Sequence, residues 1–129
     1  MNKYKYSFRD AKIVQKYGVN ISLYDLHNPD ANIVYEEVTE GHFEEFLSTK
    51  STYTWFIIDG EGTFVINDEK TQVTAKDIIM VPPNKRIHYF GKMRMVLFTV
   101  PAFNAVNEKH IRDIKKEESP YFNKAKRQS

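Results

Sequence analysis

His88 is the side chain best suited to moving a proton, because an unperturbed imidazole titrates near about pH 6.5. It stands in the strand-like run Ile87-His88-Tyr89-Phe90. Tyr53 supplies a phenol that can serve as its partner in acid–base chemistry. Tyr53, Trp55 and Tyr89 together offer flat apolar faces with hydrogen-bonding tips, a combination that suits a sugar ring or a base. Lys50, Arg86 and Arg94 are the cations nearest these runs, and the planar fork of arginine fits a carboxylate or phosphate. His42, Glu44 and Glu45 cluster in Gly41-His42-Phe43-Glu44-Glu45 and are metal-ligating types. Each of these has a plainer reading: aromatics fill cores, and Lys50 and Arg86 on loops solvate a rim. Arg94, between Met93 and Met95, needs an anion such as Glu36, Glu37 or a ligand if it faces inward. The chain has no cysteine, which removes thiolate catalysis, thiolate metal sites and disulfides.

The elements that must carry these residues are β-strands. Val19 to Tyr24 and Ile33 to Glu37 read as strands separated by a turn at His27-Asn28-Pro29-Asp30. Thr54 to Ile58 and Thr63 to Ile66 flank Asp59-Gly60-Glu61-Gly62 and read as a hairpin. Thr71 to Thr74, Ile78 to Val81, Ile87 to Phe90 and Met93 to Val100 follow, with Pro82-Pro83-Asn84 as an interruption and Gly91-Lys92 as a tight connection. Such spacing predicts an all-β sandwich or barrel over residues 1–101. Beyond Pro101 the chain becomes charged, so residues 102–129 read as an extension, helical from Asn104 or Asn107 to Lys116 and mobile from Asn123 to Ser129.

At 129 residues with 41% hydrophobic and 14% aromatic side chains, the chain has material for one β-rich domain. Its 19 Lys and Arg against 17 Asp and Glu leave no basic field that would mark a nucleic-acid partner. No apolar run approaches the roughly 20 residues of a membrane helix, and the expected location is the cytoplasm.

The spacing Gly41-x5-Leu47-x-Thr49-x3-Tyr53-x6-Gly60 matches the first motif of the cupins, G-x5-H-x-H-x3-E-x6-G, with each ligand position substituted. Lys76, Pro82, Asn84, Ile87 and Gly91 follow the second motif, G-x5-P-x-G-x2-H-x3-N. The chain therefore resembles the cupin superfamily over residues 41–101. The resemblance implies a double-stranded β-helix, or jelly-roll barrel, with a ligand cavity between its sheets. It also implies that the metal positions are Leu47, Thr49, Tyr53 and Ile87, which offer neither imidazole nor carboxylate, so no metal and no cofactor is expected. A displaced site using His42, Glu44, Glu45 or His88 is the alternative. With Tyr53 inward, alternation turns Trp55, Ile57, Ile87 and Tyr89 inward and His88 outward. Lys76 and Asn84 replace turn glycines, which predicts a local difference there.

The leading reading is a metal-free protein that binds a small polar or carbohydrate-like ligand in its barrel. The alternatives are a metal-independent sugar or nucleotide-sugar isomerase or epimerase, and a structural or regulatory dimerisation module. A homodimer paired through its sheets is expected in each case.

Overall fold

The computed structural model describes residues 4–122, and in it nine strands form one hydrogen-bonded sheet that curls on itself. They are β1 Lys12–Lys16, β2 Val19–Leu23, β3 Asn32–Val38, β4 Gly41–Ser48, β5 Thr52–Ile66, β6 Glu69–Thr74, β7 Ile78–Val81, β8 Ile87–Val100 and β9 Glu108–Asp113. The curl arises because β5 and β8 are long and each takes part in two layers. The first half of β5 pairs with β7 and with the second half of β8, which pairs in turn with β3. The second half of β5 pairs with β6 and with the first half of β8, which pairs with β4. One layer therefore runs β1-β2-β3-β8-β5-β7 and the other β9-β4-β8-β5-β6. This is the expected all-β jelly-roll barrel.

The period-2 alternation shows where the interior lies. In β3, Val34, Glu36 and Val38 are buried while Ile33 and Glu37 are exposed. In β8, Met93, Met95, Leu97 and Thr99 are buried, and in β5, Tyr53, Trp55 and Ile57 are. A second, smaller apolar cluster of Phe43, Val65, Phe90 and Ile114 covers the outer side of the β4, β5 and β8 crossing.

Two expected connections are continuous strand. Asp59 to Gly62 is not a hairpin turn: β5 runs through it with a register shift between Ile57 and Asp59. Gly60 there has φ 94°, and a Cβ on it would collide with the Lys92 carbonyl oxygen. Gly91-Lys92 likewise lies within β8, where a Cβ on Gly91 would stand 2.6 Å from the Glu61 carbonyl oxygen. These glycines permit two backbones to cross closely while bending from one layer to the other. Lys76 and Asn84 nevertheless adopt the left-handed conformation of the glycines they replace, at φ 73° and 68°. The Lys76 N–H donates to the Ile57 carbonyl at 2.7 Å, and the Thr74 N–H donates to the Asp77 carboxylate at 2.8 Å, which fixes that turn.

The extension also departs from expectation. Asn104 caps one short turn, its side chain accepting from the Val106 N–H at 3.1 Å, but residues 108–113 form β9 on the edge of β4 rather than a helix. An unpaired strand edge beside the segment outweighs its weak helical tendency. β1, which precedes the first strand read from the sequence, extends the other layer. The expectation for Asn123 to Ser129 lies outside the described residues. Among the described residues no helix is long and apolar enough to cross a membrane.

Candidate functional site

Strand register stacks the interior of the larger layer in rows. Asn32, Thr99 and Tyr53 are directly opposite one another on β3, β8 and β5; Val34, Leu97 and Trp55 form the next row, and Glu36, Met95 and Ile57 the third. The first two rows and Glu36 wall a cavity of about 230 Å³, with Lys16, His42, Phe46, Tyr89, Phe103 and Glu108 closing the remaining sides. Apolar side chains make most of this wall, so its few polar groups act in a medium where charge is poorly solvated.

Glu36 is a buried carboxyl among them, 4% exposed. It accepts hydrogen bonds from the Trp55 indole at 2.9 Å and the Tyr89 hydroxyl at 3.3 Å. Burial raises its carboxyl to about 7, against the opposing pull of those two donors. Burial raises the Tyr89 phenol as well, so it stays protonated.

His42 faces Tyr89 across the β4–β8 pair, with ring centroids 5.2 Å apart. Its Nδ1 lies 2.9 Å from the Glu44 carbonyl oxygen. A carbonyl can only accept, so Nδ1 carries the proton and Nε2 keeps a lone pair. Burial lowers the imidazole to about 4, and the positive charge of Lys16 pushes it the same way. His42 is therefore a neutral base at ordinary pH.

Glu108 ties the third polar group together. Its Oε1 accepts from the Lys16 ammonium at 3.1 Å and its Oε2 from the Tyr53 hydroxyl at 2.6 Å. Burial pulls the Lys16 pKa down, but the charge and hydrogen bond of Glu108 outweigh it and the net shift is upward. Burial together with the Glu108 carboxylate raises Tyr53. The cavity thus sets a neutral imidazole near an ammonium held by a carboxylate, a base and an acid in one enclosure.

Of the residues singled out in the sequence as ligand-binding or proton-transfer candidates, Tyr53, Trp55 and Tyr89 line this cavity and His88, Lys50, Arg86 and Arg94 do not; His42, singled out only as a metal-ligand type, and Glu36, only as a partner for Arg94, line it too. His88 is on the opposite face of β8, packed on Phe90 and 3.7 Å from the Glu45 carboxylate, and it is buried rather than exposed. Of the two histidines, His42 lines the cavity and His88 does not. Arg94 points outward and forks onto Asp59, not Glu36 or Glu37. Arg86 is held by Asp68 at 2.7 Å and Glu45 at 3.2 Å, and Lys50 is exposed on the turn before β5. The acidic cluster is also dispersed: Glu44 accepts from His110 at 2.8 Å, while Glu45 faces Arg86 and Arg112. Among the described residues no three His, Asp or Glu converge on a point that could hold a metal ion. At the positions where cupins hold metal, Ile87 is core and the Thr49 hydroxyl donates to the Asn107 carbonyl, so the donor set does not fit a divalent ion.

Lys16, Glu36, His42 and Glu108 were missed as cavity groups. Glu36 was legible, since Val34-x-Glu36-x-Val38 puts a carboxylate on an apolar face. His42 was not, because β4 shifts register against β8 between His42 and Phe46 and buries consecutive residues on both of its faces.

No family model matches the chain, and no curated protein matches it by sequence. Solved structures do. The Y89F variant of Streptomyces PAC13, solved with uridine, is 44% identical with a TM-score of 0.93, the match covering 94% of this chain and 100% of that one. Pac13, described as a unique nucleoside dehydratase, matches at 44% identity and TM-score 0.92, over 93% of this chain and 100% of that one. An H42Q variant of PAC13 was also solved with uridine. KdgF from Halomonas sp. shares the fold at 11% identity and TM-score 0.69, over 81% of this chain and 99% of that one.

Proposed function

This chain belongs to the cupin superfamily, in the family of Pac13, and on that footing we propose that it removes water from a pyrimidine nucleoside held in its barrel. The observation that carries the proposal is the neutral His42, its lone-pair nitrogen on a ring lining the same cavity as the Lys16–Glu108–Tyr53 group. Dehydration breaks a C–H and a C–O bond on neighbouring carbons. His42 Nε2 takes the proton from carbon. The departing hydroxyl takes a proton from the Lys16 ammonium and leaves as water, and a carbon–carbon double bond remains. The imidazolium then returns its proton through solvent, and Lys16 is reprotonated. An imidazole removes a proton from carbon readily only when a neighbouring carbonyl takes up the charge, so the substrate is a nucleoside whose sugar carries a carbonyl. Glu36, fixed by Trp55 and Tyr89, orients the floor against which the sugar rests.

Cavity charge favours a nucleoside over the nucleotide-sugar of an isomerase. Among the described residues lining the cavity Lys16 is the one lysine or arginine, and Glu108 already neutralises it. A diphosphate would enter without a counter-charge, which the apolar wall penalises. His42 and Tyr89 carry the same residue types and numbers as the positions altered in the PAC13 variants solved with uridine.

The test is to offer the protein pyrimidine nucleosides with an oxidised sugar and follow loss of one water by mass spectrometry. The wild type is expected to turn over, and His42→Gln to lose about 10²-fold or more in kcat while still binding uridine, the size of effect general bases supply. Turnover undiminished in His42→Gln, or a wild type that neither binds uridine nor dehydrates its oxidised forms, contradicts the proposal.

A further inference from the structure

Resting on the nucleoside reading above, we propose that Thr99 selects the ligand by donating its hydroxyl to a ring carbonyl of the pyrimidine base. Thr99 walls the cavity and is 4% exposed, yet its Oγ1 has no hydrogen-bond partner among the described residues. The neighbouring positions in its row do not share this condition: the Tyr53 hydroxyl is taken by Glu108, and Asn32 is only half-buried. A buried, unpartnered hydroxyl makes the empty protein less stable than valine, of the same shape, would make it. A threonine at that place is explained by a partner that arrives with the ligand.

Position decides which part of the ligand that partner is. Water can be lost only from the sugar, and the groups assigned to that step, His42, Lys16 and Glu108, come from β4, β1 and β9. Thr99 stands in β8 in the middle of the larger layer, between Asn32 and Tyr53, whereas β4 and β9 belong to the other layer and β1 is the far edge strand of Thr99's own. One row along the sheet, Leu97, Val34 and Leu23 offer apolar surface against which a flat ring can lie, and Phe103 also lines the cavity. A base lying there brings a ring carbonyl to Thr99, and the Asn32 amide, directly opposite on β3, stands beside it on the same edge. Shape admits the ring; the hydroxyl rejects rings without an acceptor at that point.

The experiment is calorimetric titration of wild type, Thr99→Val and Thr99→Ser with uridine, 2-thiouridine and 4-thiouridine, together with melting of the ligand-free proteins. Thr99→Val is expected to bind uridine about tenfold more weakly, with Thr99→Ser within about twofold of wild type. For one of the two thio analogues the valine penalty should vanish, because sulfur accepts poorly and that bond is already lost in the wild type. Ligand-free Thr99→Val should melt no lower than wild type. Equal uridine affinity in Thr99→Val, an equal penalty across all three ligands, or a lower melting temperature without ligand overturns the assignment. A wild type that binds none of the three refutes the nucleoside reading itself, a result visible before any variant is compared.

Discussion

His42 and Glu36 hold opposite protonation habits within one cavity, and their effects on stability have opposite signs. Glu36 is raised from 4.5 to about 7 by burial, so the folded state binds its proton more tightly than the unfolded chain. Its contribution is full below the unfolded value and is lost as pH rises through about 7. His42 is lowered from 6.5 to about 4 by burial, so its contribution is full above about 6.5 and is lost as pH falls toward 4. Each shift corresponds to something on the order of 3 kcal/mol across its window, and in the wild type the two largely cancel between these limits. Separated, they should diverge. His42→Gln is expected to gain stability on acidification from about pH 7 to about pH 5, and Glu36→Gln to lose it, as read by urea unfolding at a series of pH values. Parallel pH dependence in the two variants would show that the burial argument is wrong for one of them.

At this scale the aromatic wall was legible and the acid–base groups were not. Alternation from Tyr53 gives Trp55, and alternation from Ile87 gives Tyr89. Lys16 ends a short strand, Lys-Ile-Val-Gln-Lys, that lacks an apolar period, and Glu108 opens a charged segment that looks solvated. Both enter the cavity only because β1 and β9, edge strands far apart in the chain, meet where the two layers converge.

The decisive elements are β5 and β8. The strands themselves could be read from Tyr53 to Ile57 and from Met93 to Val100, but Gly60 and Gly91 carry the same local signal as turn glycines. What distinguishes them is the opposing backbone, which a single sequence does not display. Gly60 combines φ 94° with a crossing contact to Lys92, so Gly60→Ala adds both a left-handed penalty and a steric one. It should cost on the order of 3 kcal/mol and lower the melting temperature by about 10 °C, measured by thermal and urea unfolding. A change within about 0.5 kcal/mol would mean that the bend does not depend on glycine. Lys76, at φ 73°, shows the converse: a turn anchored by Asp77 and by the Ile57 carbonyl tolerates a non-glycine residue.

Over the whole molecule, cupin spacing gave the barrel without its chemistry. Four substituted ligand positions removed the usual centre, and the structure supplies a neutral imidazole and a carboxylate-held ammonium within the same kind of enclosure. Two layers hold these groups because the long strands cross between them, leaving β1 and β9 to bring Lys16 and Glu108 together at their margin. The claim on which the function rests is that His42 waits as a neutral base turned toward a nucleoside. Nitrogen-15 spectroscopy of the His42 ring, with and without saturating uridine, addresses it most directly. The expected result is an Nδ1–H tautomer that stays neutral down to about pH 5 and whose Nε2 resonance moves when uridine is added. Titration near the ordinary value of about 6.5, or a ring signal indifferent to uridine, would contradict it.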